Sequence, residues 1–248
     1  ATKNDDLIYN SASGSLSVIN AGEGNNRIFN HSVVTTLNSG TGADTITNTG
    51  SLIAINAGDG NNYIENLGGD NSTILCGKDN DTIHNHGSNV TISAGFGNDS
   101  IYNGYTASVV GDRSVALGRS SLSVINAEEG NDSLTNVAEE VTMLGSSGND
   151  YFLNRGNNVV VNGGTDDDTI VNIGVGATII GGTDADLISL GSEIETVYPS
   201  TDPITINRTS DLVLIEYTSG EGDDTVYGYS SADTLQLTGS SISSAESG

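Results

Sequence analysis

A single cysteine, Cys76, leaves the chain without a disulfide framework and without a thiolate zinc site. Basic residues are scarce too: 7 Lys and Arg against 32 Asp and Glu give a formal charge of −25. That balance argues against nucleic acid and against anionic membrane surfaces, and it makes a cation the natural counter-charge. No stretch approaches the roughly 18 consecutive apolar residues of a spanning helix. The opening ATKNDDLIYN lacks an apolar signal core, which points to a processed or excised piece or to export by a signal that is not N-terminal. Hydrophobic residues reach only 35%, too few for a thick core. With 33 glycines, 2 prolines and no tryptophan, and with Ile, Val and Leu as the main apolar residues, the composition is that of a turn-rich all-β chain.

What is present is periodic. Alignment on the phrase Gly-x-Gly-Asn-Asp/Asn-x-Ile sets anchors at Asn26, Asp44, Asn62, Asp81, Asp99, Asp132, Asp150, Asp168, Asp186 and Asp224, spaced 18, 18, 19, 18, 33, 18, 18, 18 and 38. Asp6, followed by Ile8 and Asn10, reads as a truncated copy. The two long gaps are close to twice 18, so each is expected to hide one coil that has lost its motif. Repetition of this kind signals a solenoid.

Other columns lock to the same frame. Two positions after the anchor stand Ile28, Ile46, Ile64, Ile83, Ile101, Leu134, Phe152, Ile170, Ile188 and Val226, and seven before it Ile19, Leu37, Ile55, Ile74, Ile92, Ile125, Met143, Val161 and Ile179. Five before it lies a row of small residues, from Ala21 and Ser39 through Cys76 to Gly145, Gly163 and Gly181. These rows alternate with polar residues at the period of a half-buried strand. Each unit therefore reads as strand, turn, strand and glycine-rich turn, too short for a crossover helix. The predicted fold is a parallel β-roll or β-solenoid of about 18 residues per coil, with two thin stacked parallel sheets whose strands lie ~4.8 Å apart along the axis. Asparagine recurs four places after the anchor, at Asn30, Asn48, Asn66, Asn85, Asn103, Asn136, Asn154 and Asn172. At the second turn such side chains are expected to bond to one another and to the backbone along the axis.

The glycine-rich turn carries the chemistry. SGTGADTIT from Ser39, SAGFGNDSIYN from Ser93, GSSGNDYFLN from Gly145, GGTDDDTIVN from Gly163, GGTDADLIS from Gly181 and SGEGDDTVYG from Ser219 resemble the nonapeptide of the RTX family, a calcium-binding solenoid repeat. The resemblance implies several Ca2+ ions between adjacent turns, held by turn carbonyls and by the anchor side chains. Carried onto this sequence it gives Asp44, Asp81, Asp99, Asp132, Asp150, Asp168, Asp186 and Asp224 as ligands, with Asn26 and Asn62 as weaker ones through their amide oxygens. The supporting turn glycines are Gly22, Gly24, Gly40, Gly42, Gly58, Gly60, Gly77, Gly95, Gly97, Gly148, Gly164, Gly182, Gly220 and Gly222. Calcium is a hard cation that takes six to eight oxygens, which tight glycine turns can aim at one point. Aligned anchor carboxylates about 5 Å apart would otherwise repel by about 3–4 kcal/mol at an effective dielectric of 20. Unlike typical RTX rolls, the opposite turn carries the Asn row and no Asp, so ions are expected along one edge only. The strongest candidate runs are Asp81 with Asp99, and Asp132 through Asp186.

Residues 1–190 form the repeat region, irregular near 104–125, and residues 191–248 form a capping section that ends in a last repeat. Pro199 and Pro203 interrupt pairing there. His84 and His86 could share a soft metal, but a solvated pair is the plainer reading. SVALG at Ser114–Gly118 occurs once and is set aside. No nucleophile elbow, phosphate loop or zinc-protease helix is present, so no enzyme is expected. The function expected is a calcium-binding extracellular or cell-surface bacterial module, rigid or adhesive. Alternatives are a self-assembling fibre or surface-layer subunit joined end to end, a surface-glycan- or ice-binding face, and an export and folding accessory of a secreted enzyme. For an ice face, the column Asn25, Asn61, Asn80, Asn98, Asn131, Asn149 and Asp167 is nearly complete, whereas the companion threonine column reads Glu23, Thr41, Asp59, Lys78, Phe96, Glu129, Ser147, Thr165 and Thr183.

Overall fold

A computed structural model describes residues 4–11, 16–104 and 122–191, together with the backbone of five strands beyond them, Glu195–Tyr198, Thr205–Arg208, Leu214–Thr218, Thr225–Val226 and Thr234–Thr238. Asp224, Gly220, Gly222, the two prolines and Ser114–Gly118 lie outside the described residues. Every regular element described is a strand. Alternate strands separate into two long parallel sheets, one of 12 strands running from Leu7–Asn10 to Thr225–Val226, the other of 10 running from Ser17–Asn20 to Glu195–Tyr198, while Leu214–Thr218 and Thr234–Thr238 pair as a separate two-stranded parallel sheet. The chain is a parallel β-solenoid.

The register places like on like. Ile46 pairs with Ile28 on one side and Ile64 on the other, and Ile55 lies between Leu37 and Ile74. Side chains alternate across each strand, as in Tyr63–Asn66, where exposed Tyr63 precedes buried Ile64. Among the described residues the two predicted apolar rows meet between the sheets with almost no solvent exposure, Phe152 among them, apart from Ile19, which is partly buried. Burying each such side chain is worth about 1.5–3 kcal/mol. A further inward column, nine before the anchor, completes the core with Ile53, Val90, Val141, Val159 and Ala177. Its chemistry is mixed, for Thr35, Ser72 and Ser123 share it, which hides it from a hydrophobicity count. Ser72 and Ser123 fit because their hydroxyls accept the Ile53 and Val90 N–H groups across to the neighbouring coil.

The two long gaps resolve differently. The strand Ser100–Asn103 pairs directly with Ser133–Asn136, and Thr91–Phe96 pairs directly with Val124–Glu129. The first gap therefore does not hide a coil, because the ladder closes across it with no strand between. The second gap does hold one: Leu187–Leu190 pairs with Thr205–Arg208, which in turn pairs with Thr225–Val226. At the other end, pairing of Ile8 with Ile28 makes the segment behind Asp6 a true coil.

Candidate calcium edge

Two left-handed residues shape the glycine-rich turns, four and two places before the anchor, except at Asp81, where only the second position, Asp79, is left-handed. In the Asn62 coil they are Gly58 and Gly60 with φ of 81° and 115°, and in the Asp99 coil Gly95 and Gly97 with 105° and 140°. Left-handed backbone suits glycine, and Asp tolerates it. Asp79, Asp166 and Asp184 fill the second of these positions with φ of 77°, 77° and 74°. Gly130, with φ 145°, belongs to the same set. It escaped the sequence reading because its turn opens AEEG instead of with two glycines.

The anchors form one continuous buried column. Each anchor N–H donates to Oδ1 of the next anchor along the axis: Asp81 to Asp99 at 2.7 Å, Asp99 to Asp132 at 2.6 Å, Asp132 to Asp150 at 2.8 Å, Asp150 to Asp168 at 2.8 Å and Asp168 to Asp186 at 3.0 Å. The two candidate runs are thus a single run from Asp81 to Asp186, joined by the bond across the first gap. Anchor side chains are 1–2% exposed.

One oxygen of each carboxylate is used and one is left over. Oδ2 of Asp44, Asp81, Asp99, Asp132, Asp150 and Asp168 is buried and receives no hydrogen bond. Burial pushes these carboxyls upward, to about 7 for Asp81 and Asp150, about 6 for Asp132 and about 8 for Asp168. The backbone N–H from the preceding coil opposes that rise, and neighbouring carboxylates add to it.

The spare oxygens face other oxygens. A methyl built on Gly145 would stand 2.1 Å from Asp150 Oδ2 and 2.3 Å from the Gly163 carbonyl oxygen. At Gly163 the corresponding distances are 2.2 Å to Asp168 Oδ2 and 2.3 Å to the Gly181 carbonyl oxygen. A carboxylate oxygen of one coil and a carbonyl oxygen of the next therefore converge on one small space. Neighbouring carboxylate and carbonyl oxygens are hard donors of the kind calcium takes. Among the described residues no group of three or more His, Cys, Asp or Glu converges.

Asn26 and Asn62 behave otherwise. Their Oδ1 atoms continue the ladder, accepting the N–H groups of Asp6 at 3.0 Å and Asp44 at 3.1 Å. Because those partners are backbone donors, the amide orientation is fixed. Nδ2 then points into the turn, where Asn26 donates to Gly24 O and Ser39 O at 3.0 and 3.1 Å, and Asn62 to Gly58 O and Gly60 O at 3.1 and 2.7 Å. These amides, expected to ligate through oxygen, present N–H groups to the turn in this structure.

The opposite edge is the predicted Asn ladder. Nδ2 of Asn30, Asn48, Asn66, Asn85, Asn103, Asn136 and Asn154 each donates to the next Asn Oδ1 at 2.6–2.9 Å. A second donor hydrogen reaches a carbonyl of its own turn, as with Asn85 to Gly87 O at 3.0 Å. On the outer face of the glycine edge, the exposed Asn column is tied to the backbone as well, Asn80 Oδ1 accepting the Asn98 N–H at 2.8 Å. His84 and His86 lie among tyrosines, with His84 Nδ1 3.5 Å from the Tyr63 hydroxyl and the His86 ring 6.3 Å from that of Tyr102.

Among solved structures, the chain matches the X-ray structure of a hyperactive, Ca2+-dependent, β-helical antifreeze protein from an Antarctic bacterium. The two share the fold. The TM-score is 0.51 at 21% identity, over 92% of this chain and 83% of the other. No protein-family model and no curated protein matches the sequence.

Proposed function

We propose that this chain is a calcium-stiffened, non-catalytic β-solenoid that serves as a rigid or adhesive module of a secreted or surface-exposed bacterial protein. The observation that carries this reading is the row of buried Asp Oδ2 atoms with no hydrogen-bond donor, those of Asp150 and Asp168 lying beside a carbonyl oxygen of the next coil. Asp44, Asp81, Asp99, Asp132, Asp150, Asp168 and Asp186 would hold the ions together with carbonyls of the glycine turns. Calcium supplies positive charge where stacked carboxylates repel and gathers oxygens that no protein donor serves. The calcium dependence of the β-helical structural neighbour supports the reading. So does the formal charge of −25. Calorimetric titration of the metal-stripped chain, with circular dichroism and thermal melting alongside, tests it. Binding of several ions with a rise in melting temperature is expected. Absence of both binding and stabilisation sinks the proposal.

A second reading, an ice-binding face on the outside of the same turns, is favoured by the exposed Asn column, whose oxygens are pinned to the backbone in regular steps. The companion column weighs against it, with Glu23, Asp59, Lys78, Phe96 and Glu129 breaking the threonine pattern. Thermal hysteresis of the calcium-loaded chain decides: a measurable freezing gap establishes the face, and its absence leaves the structural role.

A further inference from the structure

Asn26 and Asn62 share every backbone circumstance of the aspartate anchors but not their deficit. Both continue the anchor ladder through Oδ1. Both are nearly fully buried, at 1% and 2% exposure. Where an aspartate places a bare oxygen, each places an NH2 group that donates to two turn carbonyls. The turns match as well, since the residues four and two before the anchor are left-handed around Asn62 and Asp99 alike. The small residue five before the anchor is alanine in all three of these coils, Ala21, Ala57 and Ala94. Within the turn the coils differ at the anchor and at the outward residue three before it, Glu23, Asp59 and Phe96, and of these two positions the anchor is the buried one.

Resting on the calcium reading above, we infer that each anchor selects how its turn is neutralised: an aspartate recruits a calcium ion, and Asn26 and Asn62 replace the ion with their own amide hydrogens. The chemistry is direct. Turn carbonyls require a positive partner, and an amide N–H supplies a fixed partial positive charge, covalently attached and independent of solution conditions. An aspartate adds one more oxygen to the same cluster and so raises the demand for a cation. Calcium dependence is therefore not spread evenly along the rod. It is concentrated in the unbroken run from Asp81 to Asp186, while Asp44, flanked by Asn26 and Asn62, has no charged anchor on either side. The Asn26 and Asn62 turns are closed by the chain itself, and they offer preformed steps on which the calcium-dependent coils can stack.

Two reciprocal substitutions in the full chain test the inference. Asp99→Asn installs the amide in a coil with the same alanine neighbour. It is expected to bind one ion fewer by calorimetry and to melt higher than the parent in chelator, by roughly 2–4 °C for each kcal/mol gained. Asn62→Asp is expected to bind one ion more in calcium and to melt lower than the parent in chelator. A parent chain that binds no calcium overturns the calcium reading itself. A parent that binds calcium, with Asp99→Asn retaining the full ion count or Asn62→Asp gaining none, overturns this inference and leaves the calcium reading intact.

Discussion

The two edges of the solenoid solve one problem with different side chains. Each stacks a polar residue in every coil, fully buried and in register: Asn30 to Asn172 on one edge, the anchors on the other. An amide contains both a donor and an acceptor, so a column of asparagines is self-complementary. Every oxygen meets an N–H of its neighbour, and the remaining hydrogen caps a turn carbonyl. A carboxylate has acceptors only. Its column can use one oxygen per coil on the backbone, and the other must be answered from outside the chain. The difference between an edge satisfied from within and one with a spare buried acceptor is thus one atom per coil, nitrogen or oxygen. Asn26 and Asn62 show the inert solution transplanted to the other edge.

The sharpest way to break that comparison is to put the wrong atom on the inert edge. Asn85 Nδ2 donates to Gly87 O and to Asn103 Oδ1, so Asn85→Asp sets a buried charge against two acceptors. A loss of about 3–5 kcal/mol in urea unfolding is expected, the range for an uncompensated buried charge, and added calcium should not restore it. Full recovery in calcium would mean that the edges differ in sequence but not in chemistry.

Filling the space beside a carboxylate is expected to have a smaller effect. In Gly145→Ala the new methyl falls 2.1 Å from Asp150 Oδ2, so the carboxylate must move. Overpacking of this kind costs about 1–3 kcal/mol, and calorimetry should show one ion lost. An unchanged ion count would place the cation elsewhere in the turn.

The pH response of the metal-stripped chain probes the same deficit through protons. Burial raises the carboxyls of Asp81, Asp132, Asp150 and Asp168 to about 7, 6, 7 and 8, above the value of about 3.9 in an unfolded chain. Between those limits the folded state binds more protons than the unfolded state, so stability falls as pH rises from about 4 to about 8. In chelator the melting temperature should be higher at pH 5 than at pH 8. In calcium the order should weaken or reverse, because the ion needs the deprotonated form. A chelator profile that is flat across this range would show that the anchors are solvated in the metal-free state.

Much of this was legible in the sequence because a solenoid turns sequence period into spatial register. An 18-residue step places Ile46 on Ile28 and Asn48 on Asn30 without any long-range inference. What escaped needed information that the period does not carry. The first long gap has nearly the length of two coils, yet only strand pairing shows that it closes directly. The second gap, of similar length, contains a coil. The roles of Asn26 and Asn62 were hidden for another reason. Composition identifies an amide, but only its backbone neighbours decide whether oxygen or nitrogen faces the turn. The inward column nine before the anchor was invisible because serine and threonine alternate in it with valine and isoleucine, the serine hydroxyls accepting an N–H from the neighbouring coil and that of Thr35 donating to Val33 O in its own turn.

The smallest expected effect concerns backbone, and it too separates the edges. At the glycine edge the left-handed positions are mostly glycine, whereas at the Asn edge the residue ten before each anchor is left-handed whatever its type. Leu52 with φ 60° and Leu122 with φ 61° stand in the column that Asn71, Asn89 and Asn158 occupy at 52°, 54° and 55°. Asparagine tolerates this conformation far better than leucine, and Leu52 is 55% exposed, so little burial is sacrificed by replacing it. Leu52→Asn is therefore expected to stabilise the chain by roughly 1 kcal/mol, equally in calcium and in chelator, because it touches the edge that needs no ion. A gain confined to calcium would reveal communication between the edges that the self-contained Asn ladder gives no reason to expect.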